Sequence, residues 1–392
     1  MSEHQHENQY NEQGNPTASR IKNLTINVGV SLATIGMLLL CSETGLRIYA
    51  RARSSDVCGV NNFNATMLNS FLKFSDDPNL GAELKPNMGE SATFADGKSQ
   101  ILIRTNSEGL RGSMDYSPEK PPGTYRIAIV GDSVTFGWGM KEGFYYPAIL
   151  EKLLQREVGN QVRIEVMNFG VPGYNGDQKI ITLRNKVLHY RPDAVIMGWL
   201  IDDLGHPSYL FGVPFLPNSA TKFLNGHSYV FGCFRQKILN RWYQLNAIPY
   251  KEQYQAAGKK KTEEMFGKIA DISRKNNLKI LVAILPVWQT IEKNRADGII
   301  DIHALIAKAS ADNGLDTVDV LSYIHGEDSL YFALNKTDIY HPNLGGHTLI
   351  ANVLAEALSY FKFIQSALPN VHVQEIRIQS FSPKTMDLLN NT

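Results

Sequence analysis

The sequence predicts an α/β fold: a parallel sheet covered by helices on both faces, preceded by one membrane-crossing helix. Three observations carry this. From Tyr125 onward, short apolar β-branched runs alternate with amphipathic helical segments. Between Leu24 and Cys41 there is no charged residue. The run Ile127 to Val130 breaks abruptly at Gly131-Asp132-Ser133, and the C-terminal end of a buried strand is where an open α/β sheet presents its chemistry.

Taken in order, residues 1–22 are polar, rich in Glu, Asn, Gln and His, and read as disordered. Residues 23–42 read as a membrane anchor, with Met37-Leu-Leu-Leu-Cys41 its most apolar stretch. About 20 helical residues cross a hydrocarbon core of about 30 Å. A buried core helix and a cleaved signal peptide are the alternatives; the long polar stretch in front speaks against the second. Leu40 stands where a lipoprotein site would need a small residue before Cys41. Arg20 and Lys22 precede the span, and Arg47, Arg51 and Arg53 follow it. By charge alone this slightly favours a cytoplasmic C-terminal domain.

Residues 55–124 carry many Gly, Asn, Asp and Pro and predict irregular structure with one or two short strands, such as Ile101 to Thr105. The α/β domain covers 125–364. Its predicted strands are Arg126–Val130, Arg163–Asn168, Ala194–Trp199, Lys279–Leu285 and Asp316–Val320. Its predicted helices are Tyr146–Val158, Gln178–Tyr190, Thr262–Asn276, Ile299–Asn313 and Gly346–Phe361. An insertion at 204–258 interrupts the rhythm. It is rich in aromatic residues (Tyr209, Phe211, Phe215, Tyr229, Phe231, Phe234, Trp242, Tyr243), and such long insertions shape binding sites or pack as subdomains. A polar tail occupies 365–392.

The 392 residues include 39 basic and 38 acidic ones, a net charge of +1. Such balance gives no electrostatic case for nucleic acid. Cys58 and Cys233 are the cysteines outside the span; they form one disulfide in an oxidising space or are two separate thiols. No cysteine spacing suits a metal, and no cofactor is expected.

Ser133 is the candidate nucleophile. Gly131 allows a sharp turn, Ser133 then points out at the sheet edge, and its own N–H can donate to an oxyanion. Asp338-Ile-Tyr-His341 supplies the rest: histidine takes the serine proton, and an aspartate fixes its tautomer. A tight loop lets Asp338 reach Nδ1 while Nε2 faces the serine. Asp203-Leu-Gly-His206 has the same spacing, but the 338/341 pair follows the last strand and immediately precedes an amphipathic helix. Gly173, in Val171-Pro-Gly-Tyr174 after the second strand, can bring a backbone N–H close to a substrate. Asp132 reads as a turn stabiliser, and His347 as support for the start of its helix. Asn106 and Arg111 are weaker candidates to approach the site.

These blocks in this order resemble the SGNH, or GDSL-like, hydrolases. Gly131-Asp132-Ser133 with Gly137 is similar to the first block, Gly173 to the second, and Asp338 with His341 to the fifth. The resemblance implies a three-layer α/β/α, flavodoxin-like fold over residues 125–361. It implies ester hydrolysis with Ser133, His341 and Asp338 as catalytic residues, and Ser133 and Gly173 as oxyanion donors. The anchor and Asn106-Ser-Glu-Gly-Leu-Arg-Gly112 resemble a bacterial envelope-anchored branch, which places the domain on the periplasmic or extracellular side. One position departs from the pattern: Asp202 stands where the family carries an oxyanion-binding asparagine. An ionised carboxylate only accepts hydrogen bonds. Asp202 is then held protonated, or the oxyanion hole works without it, or Asp202, Asp203 and His206 bind a metal. The implied substrates are an O-acetylated glycan or a lipid ester. Acyl transfer to a glycan, and a weakened carbohydrate-binding or assembly protein, are the alternatives.

Overall fold

The computed structural model describes residues 16–53, 71–205, 220–234, 237 and 250–369, apart from gaps at 78, 94–99, 221–222, 225–226, 325–328 and 336–337. Cys58, His206, Tyr209, Phe211, Phe215, Trp242, Tyr243 and residues 370–392 of the tail lie outside the described residues. The chain divides into two compact units, one of residues 1–62 and 219–241, the other of 63–218 and 242–392.

The first unit is built on helix α1 (Pro16–Arg53). Its stretch Asn23–Ile48 is long and apolar enough to cross a membrane, and its most apolar window is nowhere buried. Residues 229–234 are helical. Cys233 is disulfide-bonded and Cys41 is free.

The second unit opens with two antiparallel pairs. Strands β1 (Leu72–Phe74) and β2 (Ala82–Leu84) form one, and β3 (Gly89–Thr93) and β4 (Gln100–Arg104) the other. Only β4 overlaps the expected Ile101–Thr105. The other three are too short or too polar to show a period-two apolar pattern.

A five-stranded sheet follows: β5 (Thr124–Gly131), β6 (Arg163–Gly170), β7 (Ala194–Trp199), β8 (Lys279–Ile284) and β9 (Asp316–Asp319). Its order is β6-β5-β7-β8-β9 and every pairing is parallel. Parallel strands covered on both faces read as unbroken apolar runs, and every residue of β5 is buried. A one-turn helix, α2 (Ser133–Phe136), leaves the end of β5. Longer helices make the outer layers. Tyr125, Ile127 and Ile129 share a core with Leu150 and Leu154 of α3 (Tyr146–Val158). Ala128 and Val130 face the other way. They join Ile180 and Leu183 of α4 (Gly176–Asn185), Phe266 and Ile269 of α5 (Ala256–Asn276), and Ile302 and Ile306 of α6 (Ile299–Asp312). The last long helix, α7 (Leu344–Tyr360), returns to the first layer, where its Leu349, Val353 and Leu354 complete the core around Ile127.

The α/β/α sandwich expected from the strand–helix rhythm is therefore present. Helix α4 starts earlier than the expected Gln178 because Asn175 caps it. The Asn175 side chain accepts from Gln178 N, and Gln178 Oε1 accepts in return from Asn175 N, at 3.0 Å each. The helix stops at Asn185, and a separate 3₁₀ turn covers Val187–Tyr190. The strand order reverses beside β5, so the carboxyl ends of β5, β6 and β7 lie at a topological switch point.

One expectation needs correction. Asp338 to His341 lie not in a loop but on strand β11 (Asp338–Pro342), paired antiparallel with β10 (Ala333–Asn335). The ribbon is too short, and its outer residues too polar, for sequence patterning to reveal it.

Candidate active site

Ser133 is the first residue of α2, at the carboxyl end of β5. Asp132 caps that turn: its Oδ1 accepts from Val134 N at 2.8 Å. Gly131 serves close packing rather than a special turn. A Cβ built there would lie 1.8 Å from Thr135 Oγ1, so only glycine lets the strand and α2 meet. Gly137 closes α2 with φ +85°.

Opposite stands the β11 ribbon. His341 Nε2 lies 2.8 Å from Ser133 Oγ. On the other side of the ring, Nδ1 lies 2.8 Å from Asp338 Oδ2 and 2.9 Å from Oδ1. Asp338 also accepts from the backbone N–H of His341 at 3.1 Å. Burial works to raise the Asp338 carboxyl, but its hydrogen bond to His341 and the neighbouring backbone N–H groups outweigh that and hold it below the usual value. A hydroxyl, an imidazole and an ionised carboxylate thus form one hydrogen-bonded chain. Trp138 stacks on the His341 ring at 5.4 Å and 24°. The indole is a site neighbour that sequence reasoning misses, although Gly137-Trp-Gly139 directly follows the nucleophile turn.

Gly173 lies between β6 and α4 with φ +83°, in the left-handed region that favours glycine. Asp202 lies in the turn after β7, where its carbonyl accepts from Gly205 N at 2.7 Å. Carboxylate oxygens of Asp132, Asp202 and Asp203 fall within 4.8 Å of one another. Lys179 of α4 occupies this acidic cluster. Its Nζ is 2.7 Å from Asp132 Oδ2, 2.7 Å from Asp203 Oδ2 and 2.9 Å from Gly198 O. Burial opposes the lysine charge, yet Asp132 and Asp203 hold its pKa well above the ordinary value. The ammonium already supplies the positive charge these carboxylates require and would repel a dication. The group is an ion-pair network; His206, the third member of the metal reading, lies outside the described residues. Asp202 keeps part of its surface open to solvent but is packed round by protein. That desolvation, and next the charge of Asp132, push its carboxyl up to about 6.

Three minor candidates support the site instead of entering it. The Arg111 guanidinium is buried, paired with Glu142 at 2.7 Å, and lies 5.2 Å over Phe136 and 4.8 Å over Tyr145. It braces α2. Asn106 Oδ1 accepts from Glu108 N and Leu110 N and so shapes its own turn. His347 supports a different helix from the expected one: its Nδ1 accepts from Tyr146 N, at the start of α3, at 3.2 Å. Burial holds its pKa down to about 3. A depressed histidine stabilises the fold fully above the unfolded value near 6.5, and that stability is lost as pH falls toward 3. His347→Gln keeps an acceptor without the titration. Its urea midpoint should fall less steeply than the wild type's between about pH 6 and 4; an equal slope would count against this account.

The sequence profile of the GDSL-like lipase/acylhydrolase family matches residues 129–349, more than half of the chain. The chain belongs to the GDSL-like lipase/acylhydrolase family. The matched part of this GDSL-like hydrolase runs from β5 into α7 and takes in Ser133, Asp338 and His341. Solved structures resemble it at low identity. An α/β hydrolase from the metagenome of Lake Arreo is 18% identical, with a TM-score of 0.42, covering 60% of this chain and 95% of that one. A variant of an acetyl xylan esterase from Geobacillus stearothermophilus is 16% identical, with a TM-score of 0.40, covering 61% and 96%. The acetyl xylan esterase AlAXEase is 16% identical, with a TM-score of 0.38, covering 59% and 99%. No curated protein matches the GDSL-like hydrolase in sequence. Membership makes the chain an SGNH/GDSL-type esterase by class, with esters as its substrates.

Proposed function

We propose that the protein is a membrane-anchored serine esterase in which Ser133, His341 and Asp338 act as a triad. The observation that carries this is the unbroken chain from Ser133 Oγ through His341 to Asp338, with 2.8 Å at the serine and 2.8 Å at the carboxylate. As Oγ bonds to the acyl carbon, its proton passes to Nε2, and Asp338 steadies the resulting imidazolium. The same proton then goes to the departing alkoxide. Water repeats the sequence on the acyl-enzyme and releases the acid. The first N–H of α2, on Ser133, has no partner within its helix; it and Gly173 N–H are the proposed donors to the developing oxyanion. The anchor lies within the apolar stretch Asn23–Ile48. The disulfide at Cys233 supports an oxidising compartment, hence the periplasmic or extracellular side. An O-acetylated glycan or a lipid ester is the proposed substrate.

The test is turnover of p-nitrophenyl acetate and longer p-nitrophenyl esters by the full chain in detergent. A fast acetate reaction supports a glycan deacetylase; a rate rising with chain length supports a lipid esterase. No turnover of any ester would count against hydrolysis and favour the binding-scaffold reading, for which Asp202 is the specific support. Asp202 also carries its own prediction. At about pH 8 its carboxyl is ionised and cannot donate to an oxyanion, and one such donor is worth up to about 10²–10³ in rate. Asp202→Asn should therefore raise kcat at about pH 8 by roughly tenfold. The gain should shrink toward about 6, where the native carboxyl takes up its proton. A variant slower than wild type in the alkaline range would show that the carboxylate itself is needed.

A further inference from the structure

The described part of the aromatic insertion is clasped to α1. The Glu43 carboxylate accepts from Ser228 Oγ at 2.9 Å and from the backbone N–H groups of Tyr229 and Val230 at 3.0 Å each. Arg47 ties the same two segments. Its Nε donates to Glu43 at 2.8 Å, its Nη2 donates to His227 O at 2.8 Å, and its guanidinium lies 6.0 Å over the Tyr229 ring. Residues 227–230 are therefore fixed to one level of the long helix. Phe223 joins them by stacking on the His227 ring at 4.5 Å.

That level can be placed. Glu43 is the first charged residue after Lys22. The roughly 20 residues from Asn23 to Glu43 rise about 30 Å at about 1.5 Å per residue, which is the thickness of a hydrocarbon core. A carboxylate is costly inside that core, so Glu43 marks the depth at which α1 returns to water. The segment it holds carries Phe223, Tyr229 and Phe234, which are 62%, 45% and 56% exposed. Three large rings left open within 12 residues of sequence are a poor fit to bulk water. They suit the boundary between headgroups and acyl chains, where aromatic rings are enriched.

We propose that residues 227–234, with Phe223, form an interfacial platform held by Glu43 and Arg47, which seats Phe223, Tyr229 and Phe234 among the lipids of the leaflet where α1 leaves the membrane. This rests on the membrane-anchored reading above. The partner is the bilayer's own headgroup–acyl boundary; a soluble glycan stacked on the same rings is the outcome that would displace it.

The experiment uses the full chain in liposomes of phosphatidylcholine and phosphatidylglycerol, with photoreactive p-benzoylphenylalanine in place of one residue at a time. Leu40, within the apolar stretch, is the reference for lipid contact. Tyr360, 78% exposed in the other unit, is the background. Lipid adducts at positions 223, 229 and 234 near the Leu40 yield, and several-fold above the Tyr360 yield, are expected. Glu43→Ala should lower the adduct at position 229 several-fold and leave position 40 unchanged. Adducts at position 40 with only background at the three rings would overturn the platform and leave the anchor standing. Background at position 40 as well would overturn the anchor, and the platform with it.

Discussion

Ser133→Ala should abolish hydrolysis of p-nitrophenyl acetate, with kcat lower by about 10⁴-fold or more. The variant loses the atom that bonds to the acyl carbon, while His341 and Asp338 keep their own hydrogen bond. His341→Ala should fall as far, and the double variant no further, because the members act as one unit. The fold should be unaffected. Ser133 starts a helix whose cap belongs to Asp132 and whose buried residues are Val134, Thr135 and Phe136. Urea midpoints of wild type and Ser133→Ala should agree within about 0.5 kcal/mol of stability. Ester turnover by Ser133→Ala within about tenfold of wild type would remove the serine from the mechanism.

Lys179→Met should be the most damaging single change to stability, at about 3–5 kcal/mol. The lysine side chain is wholly buried, as is that of Asp203, and Asp132 is nearly so. Methionine matches the length of the stem but leaves two buried carboxylates without a counter-charge. The sign with pH follows. Burial already raises the Asp203 carboxyl and the Lys179 charge opposes that rise; removing the ammonium raises it further, so the folded variant binds more protons than the unfolded one and gains stability as pH falls. Urea midpoints at about pH 8 and pH 5 check this: the deficit should be large at the higher pH and smaller at the lower. A loss below about 1 kcal/mol at the higher pH, the range of an exposed pair, would show that the network is not what holds the two turns together.

The sheet is legible in the sequence because parallel strands buried on both faces leave a simple trace. Ala194–Trp199 and Tyr146–Val158 coincide with the expected bounds to the residue. The site is legible in its side chains but not in its support. Asp338 and His341 announce themselves by spacing, whereas the strand that carries them is only five residues long. Lys179 gives no local signal: in Asp177-Gln-Lys-Ile-Ile181 it looks like any solvent-facing helical lysine. Its burial is decided by Asp132 and Asp203, 47 and 24 positions away. Gly131 shows the same limit. Its need arises from Thr135 across a close approach, and a reading confined to backbone freedom assigns it a turn. Asp202 is placed by motif, but its raised pKa comes from packing and from Asp132, which no spacing encodes.

The ribbon bearing Asp338 and His341 also bears on how the chain acquires its chemistry. The imidazole and its carboxylate are three positions apart, so their pairing is a local event that a short hairpin can complete early. The imidazole meets the serine hydroxyl across 208 positions. Between them lie β6 through β9, which must all add to the sheet in parallel, an intrinsically slow kind of strand association. A chain that has formed its hairpin but not its sheet holds a base with nothing to act on. In the proposed mechanism, catalytic competence is therefore a late folding event.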